Sequence, residues 1–256
     1  MTRTQEIYLA SCAEIASAFE SSGFRWRKSL RCIDQKDGDL TFRVAFQSDR
    51  LNGLVADPAG SDQENSSSST QLFLSLEDEL AEIERYGSVG FIPHVGVFAD
   101  SIKKWRDTLV HPLRTGDQVA ATNLGYVFSE APTWLNINLA NPRTRSGRIA
   151  AIIELIRTSG FRYFDRFRNP DEVVASLIHS SDPGMMDYSE IEYAVFYGSP
   201  QLGVKVLERY LSQWPEAVDP YEQALQEYRK DGIPISVHGQ PGPRLARAAL
   251  ALGLVT

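Results

Sequence analysis

The side chains with which this chain of 256 residues could do chemistry include four histidines, two cysteines and many carboxylates, and their spacing withholds most of it. His94, His111, His179 and His238 stand far apart, with no His-x-His, His-Glu-x-x-His or Cys-x-x-Cys step, so no zinc site is expected. Asp34, Asp37 and Asp39 have the look of a calcium loop, yet its twelfth position, where a bidentate Glu belongs, is Ala45. No Gly-x-Ser-x-Gly elbow is present. Cys12 and Cys32 both alternate into apolar faces, which suits small buried hydrophobes better than nucleophiles. The run His238-Gly239-Gln240-Pro241-Gly242-Pro243-Arg244 precedes a helix, as a phosphate cradle would. Pro241 and Pro243 remove two of the N–H donors that a cradle uses, so a loop-to-helix connection is the expectation. No catalytic residue, cofactor site or metal site is assigned. Paired carboxylates are numerous, and a dispersed carboxylate active site stays open as a reading.

Charge is organised in zones along the chain. The net charge is −7; residues 51–100 carry nine acids against one base, residues 182–256 ten against six, and residues 101–181 eleven bases against seven acids. An acidic balance disfavours nonspecific binding to DNA or to anionic membranes, which needs dense Lys and Arg, and it suits a basic partner. No window approaches the roughly 20 apolar residues that span a bilayer, and the amino terminus lacks an apolar leader, so a cytoplasmic location is the default expectation.

The elements that must position these residues are set by a switch in hydrophobic period. Residues 24–47 and 118–139 alternate apolar with polar, as half-buried strands do, whereas residues 142–256 repeat apolar groups every three or four positions. This predicts an α+β fold: an antiparallel sheet of about five strands packed with helices over residues 1–181, then an all-helical, solenoid-like extension over 182–256 with a boundary at Asp182-Pro183-Gly184. A first helix over 4–20 aligns Tyr8, Cys12, Ile15 and Phe19. A hairpin turns at Lys36-Asp37-Gly38-Asp39, with Phe24, Trp26, Leu30, Cys32, Phe42, Val44 and Phe46 inward. Residues 57–71 are too polar to order and read as a disordered loop. A helix over 75–86 follows, capped by Ser75, with Leu76, Leu80 and Ile83 as its inner stripe. Pro93 places the strand at 89–98 at an edge or a bulge. Residues 118–128 and 133–139 read as a hairpin whose Leu135, Ile137 and Leu139 face the core. Asn141-Pro142, Asn169-Pro170, Ser199-Pro200 and Asp219-Pro220 mark helix starts.

Two charged surfaces emerge. The outer face of the first hairpin carries Arg25, Arg27, Arg31 and Arg43, either as a solvated face or as a grip for an anionic ligand. The helix at 75–86 and those after residue 182 carry acids, and Glu77, Asp78, Glu82, Asp187, Glu190 and Glu192 are the candidate contacts for a protein partner. Each is equally explicable as helix solvation.

Further features bear on family. A leading helix ends in Gly23-Phe24, a charged hairpin leads to Phe-Arg-Val-Ala-Phe-Gln-Ser at 42–48, and an apolar strand at 89–98 runs into a helix with Trp105. A strand with Trp134 and a closing Tyr163-Phe164-Asp165-Arg166-Phe167 complete the set. Over about residues 5–180 the chain resembles the bacterial domain of unknown function 4304 family. That resemblance implies an α+β fold without an established activity, some of whose members are encoded near polymorphic toxins. The leading expectation is therefore an immunity-type protein that occludes a cognate, basic protein toxin without catalysis. The alternatives are a module binding nucleic acid or an anionic ligand through the arginine face, and an enzyme with dispersed carboxylates.

Overall fold

The computed structural model describes residues 1–49, 52–54, 75–128, 133–179, 188–237 and 239–255. The expected loop at 57–71 and the boundary at 182–184 lie outside them. The chain forms two compact units, one of residues 1–97 and 121–164, the other of residues 98–120 and 165–256. The division thus falls at 164/165, and a segment from the middle of the chain belongs to the second unit.

In the first unit, helix α1 (Arg3–Ser17) opens on a capping box between Thr2 and Gln5. Tyr8, Cys12 and Ile15 are buried along one face, with Phe19 just beyond, and Gly23 supplies the left-handed turn that follows. The sheet comprises β1 (Arg25–Arg27), β2 (Cys32–Asp37), β3 (Leu40–Ser48), β6 (Gly90–Ala99) and β7 (Gln118–Asn123) in the order β1-β2-β3-β6-β7, with β8 (Ile137–Asn138) also on β6. A separate ribbon pairs β4 (Gly53–Leu54) with β5 (Gly87–Ser88). The β2–β3 register closes at Asp37 opposite Leu40, so the turn falls within the expected Lys36–Asp39 stretch but its two central residues are Gly38 and Asp39, with Gly38 at φ +58° and Asp37 still paired in the strand. Phe42, Val44 and Phe46 are buried. Phe42 stacks on Phe164 at 5.1 Å between centroids and Phe24 on Phe161 at 5.5 Å, so Phe161 and Phe164 help close this core.

Three expectations are corrected. The first strand is broken: residues 28–31 form a turn, Leu30 is 61% exposed, and Cys32 falls opposite Arg27 on the arginine face. Strand β6 is interior despite Pro93. Phe91, Ile92, Val95 and Val97 are all buried, and a strand apolar on both faces belongs inside a sheet. The β8 register covers only Gly90 and Phe91, so that ladder ends before the proline. Residues 118–139 are no simple hairpin, since β7 and β8 both pair with β6. Leu135, Ile137 and Leu139 are nonetheless buried. The buried Asn123 does a strand's work here: its Oδ1 accepts from Leu135 N at 2.8 Å and Gly125 N at 2.9 Å, and its Nδ2 donates to Leu135 O at 3.1 Å.

Helices complete both units: α2 (Leu76–Tyr86), α3 (Asp100–Arg106), α4 (Arg145–Leu155), α5 (Phe161–Arg166), α6 (Pro170–His179), α7 (Tyr188–Tyr197), α8 (Pro200–Gln213), α9 (Val218–Asp231) and α10 (Pro241–Ala251). A five-residue π-helical stretch, Ile156–Gly160, joins α4 to α5. Pro170 and Pro200 stand at the first helical position, as the sequence predicts. Asn141-Pro142 instead opens a turn, because the Asn141 amide oxygen takes Arg143 N at 3.0 Å and α4 starts later. Helix α9 begins two residues before Pro220, which still falls in the first turn where its missing N–H is harmless. In the second unit α7 packs on α8 and α9 on α10, and α10 also reaches α7, a contact that an open solenoid lacks. Among the described residues no helix is long and apolar enough to cross a membrane.

Replacing Asn123 with Ala strands two buried N–H groups and a carbonyl. The expected loss, about 2–4 kcal/mol, is checked by urea unfolding monitored by circular dichroism.

Candidate functional site

The acidic helices divide into carboxylates held inside the protein and carboxylates left at its surface. Helix α2 shows why. Ser75 caps it, accepting from Asp78 N at 3.1 Å and donating to Asp78 Oδ2 at 2.6 Å, while Glu77, Asp78 and Glu79 complement its positive end. Gly87 stops it at φ +81°, and a Cβ there would lie 2.1 Å from Gly53 O. The rotation of the helix about its axis is set by Glu82. Its carboxylate accepts from Arg148 Nη1 at 2.6 Å, Asn141 Nδ2 at 2.7 Å and Thr144 Oγ1 at 3.4 Å. Arg148 is 4% exposed and also donates to Asn138 O at 2.5 Å. A buried guanidinium without its counter-charge costs several kcal/mol, so Glu82 must face inward. Residues two apart sit about 200° around a helix, and Leu80 is therefore driven out; it is 57% exposed. Glu77 and Glu84, three before and four after it, share that outward face and are exposed. The expected inner stripe of Leu76, Leu80 and Ile83 is thus overturned at Leu80. Ile83 is half-buried, and the Leu76 side chain lies outside the description.

Glu192 is the second departure from a solvated acidic surface. It is completely buried on α7 and accepts from Arg106 Nε at 2.9 Å and Nη2 at 2.5 Å, and from Arg114 Nε at 2.9 Å. Arg106 Nη1 donates to Gly116 O at 2.9 Å and Gln118 O at 2.8 Å, and Arg114 Nη2 donates to Val119 O at 2.7 Å. This network ties residues 106–119 to α7, so Glu192 is unavailable to a partner. Glu190 accepts from Arg209 Nη2 at 2.8 Å and from the Tyr210 hydroxyl. Asp187 lies outside the described residues. Glu77 and Asp78 remain at the surface. Nothing in the local sequence separates Glu82 or Glu192 from their solvated neighbours, because their partners lie 59 to 86 residues away along the chain. A signal for Arg148 was present: it interrupts the apolar face of α4 four residues before Ile152.

On the arginine face, Arg25, Asp34 and Arg43 lie side by side across three strands. Arg43 grips Asp34 with two bonds, Nε to Oδ1 at 2.7 Å and Nη2 to Oδ2 at 2.9 Å, and Arg27 Nε approaches Oδ2 at 3.9 Å. Arg31 leaves the strip, with φ +51° and its guanidinium over the Tyr8 ring at 5.6 Å. The structure gathers three of the four arginines and plants a carboxylate among them, which occupies Arg43 and weakens the face as an anion grip.

The remaining candidates offer little chemistry. Cys12 and Cys32 are free and buried, and burial, the main cause, pushes both thiols up to about 12, far from the thiolate range. Asp34, with Asp37 and Asp39 at the hairpin, forms no metal cage; no group of three His, Cys, Asp or Glu side chains that could hold a metal occurs among the described residues. The His94 ring sits edge-on to Trp134 at 5.6 Å, with Nε2 buried and unpartnered, and burial holds its imidazole below the ordinary range. His111 and His179 are exposed, and His238 lies outside the description.

No family model, curated protein or solved structure matches the chain.

Two outcomes follow from this geometry. Glu192→Gln, which leaves two guanidinium groups facing a neutral amide, should cost about 3–5 kcal/mol, whereas Glu77→Gln should stay within about 0.5 kcal/mol; paired denaturation curves decide. The folded thiols stay protonated to about pH 12, while those of the unfolded chain ionise from about pH 9. The unfolded state therefore sheds protons first, and stability falls as pH rises from about 9 toward 12. In native buffer at pH 8 a thiol reagent should label neither cysteine, and in urea both.

Proposed function

We propose that the protein is a cytoplasmic binding protein of the immunity type, which occludes a basic protein toxin with the outward face of α2. The observation that carries this reading is the displacement of Leu80 into solvent between Glu77 and Glu84. An exposed apolar side chain can seat in a partner's pocket while the carboxylates around it steer the encounter with a basic protein. The net charge of −7 favours a basic partner over nucleic acid. The resemblance to the bacterial domain of unknown function 4304 family supports the same reading, since some members are encoded near toxins.

The natural probe is the product of the gene adjacent to the one encoding this chain. Leu80→Asp should weaken that complex at least about thirtyfold, the size of a hot-spot loss. Glu77→Lys with Glu84→Lys should slow association roughly tenfold at low salt and leave dissociation nearly unchanged. Leu80→Asp should leave the melting temperature nearly unchanged, because that face is not packed, whereas Glu77→Lys, which puts a cation at the positive end of α2, should lower it slightly. The reading fails if the complex tolerates both variants, and fails in favour of the sheet face if binding is lost instead when Arg25, Arg27 and Arg43 are neutralised.

A further inference from the structure

The second unit contains a cavity of about 290 Å³ walled by Leu113, Ile235, Ser236, Val237, Arg244 and Arg247, with Gly239 at φ +93° on its rim. Arg247 is 6% exposed, and its partners set it apart from the other buried arginines. Arg106 and Arg148 each meet a carboxylate. Arg247 donates only to main-chain carbonyls: Nε to Pro234 at 2.8 Å, Nη1 to Leu113 at 3.4 Å, and Nη2 to Pro112 at 3.0 Å and Ile235 at 2.6 Å. Four carbonyls take four of the five N–H groups of a guanidinium and leave one on Nη1. They bring dipoles and no negative charge, and among the described residues no acidic side chain lines the cavity. Arg244 stands three residues earlier on α10, hence on the same face of the helix, and adds a second cation to the wall.

We propose that this cavity binds a small carboxylate with a short apolar body, its oxygens received by Arg247 and Arg244 and its body lying on Leu113 and Val237. The anion supplies the counter-charge that Arg247 lacks, and the one remaining Nη1 N–H gives it a charge-assisted hydrogen bond. A phosphate fits less well. Recognition of phosphate at a helix start relies on consecutive backbone N–H groups, and Pro241 and Pro243 delete alternate ones at the start of α10.

Titration of the full chain with sodium hexanoate at constant ionic strength tests this, read by melting temperature and by the arginine Nε–Hε resonances. A saturable rise in melting temperature, with the Arg247 resonance shifting in parallel, is expected. Arg244→Gln should weaken binding at least about tenfold, the loss of one charge-assisted hydrogen bond. Ser236→Trp, at an exposed position on the rim, should fill the cavity and abolish binding while both arginines remain. The proposal is overturned if hexanoate gives no saturable response, if hexanol gives the same one, or if the two variants bind like the parent. Inorganic phosphate binding more tightly than hexanoate, and losing affinity in Arg244→Gln, would overturn the choice of a carboxylate.

Discussion

A guanidinium removed from water must be met by charge or by a full set of acceptors, and that constraint governs much of this structure. Arg106, Arg148 and Arg247 are the arginines buried among the described residues. Each is carried inside by a helix whose neighbouring side chains are apolar: Ile102 on α3, Ile149 and Ile152 on α4, Leu245 and Ala249 on α10. Once the helices pack, the cations have no route to solvent. The desolvation penalty, several kcal/mol per ion, then dictates what else must come inside. For Arg106 the answer is Glu192 together with two carbonyls, for Arg148 it is Glu82 and Asn138 O, and for Arg247 it is four carbonyls.

The demand reaches the surface through helix geometry. With Glu82 drawn in, α2 cannot also bury Leu80, and an apolar side chain that composition assigns to the core stands in solvent between two carboxylates. The same accounting removes Glu192 from any interface and leaves Glu190 shared between Arg209 and Tyr210. Acidic helices that look uniformly solvated in the sequence therefore resolve into structural anions and a small outward patch. That patch is where the binding function is proposed. The arginine face follows the opposite course, since Asp34 neutralises its centre by pairing with Arg43.

Much of the fold was legible because it depends on local pattern. The faces of α1 and β3, the Gly38-Asp39 turn and the starts of α6 and α8 follow from periodicity, turn chemistry and proline, which act over a few residues. The failures occurred where a distant element outvoted a local rule. Pro93 reads as an edge residue, but burial on both faces holds β6 inside the sheet. Leu30 reads as a strand residue, but the chain turns there and Arg31 takes a positive φ. Asn123 lies inside the alternating run at 118–139, and its side-chain amide holds Leu135 beside the end of β7.

By itself, the sequence determined the α+β class, the order of sheet and helices, the inward alternation of Phe42, Val44 and Phe46, and the absence of familiar metal-binding spacings. Those follow from side-chain period and residue spacing, which the covalent chain carries directly. Only the tertiary structure decided which charges are spent inside and which are left to bind. That choice depends on pairs such as Arg106 with Glu192, 86 residues apart, and on the low polarity that packing creates around them. Charge is written in the sequence, whereas its cost and its availability depend on the surroundings that folding supplies.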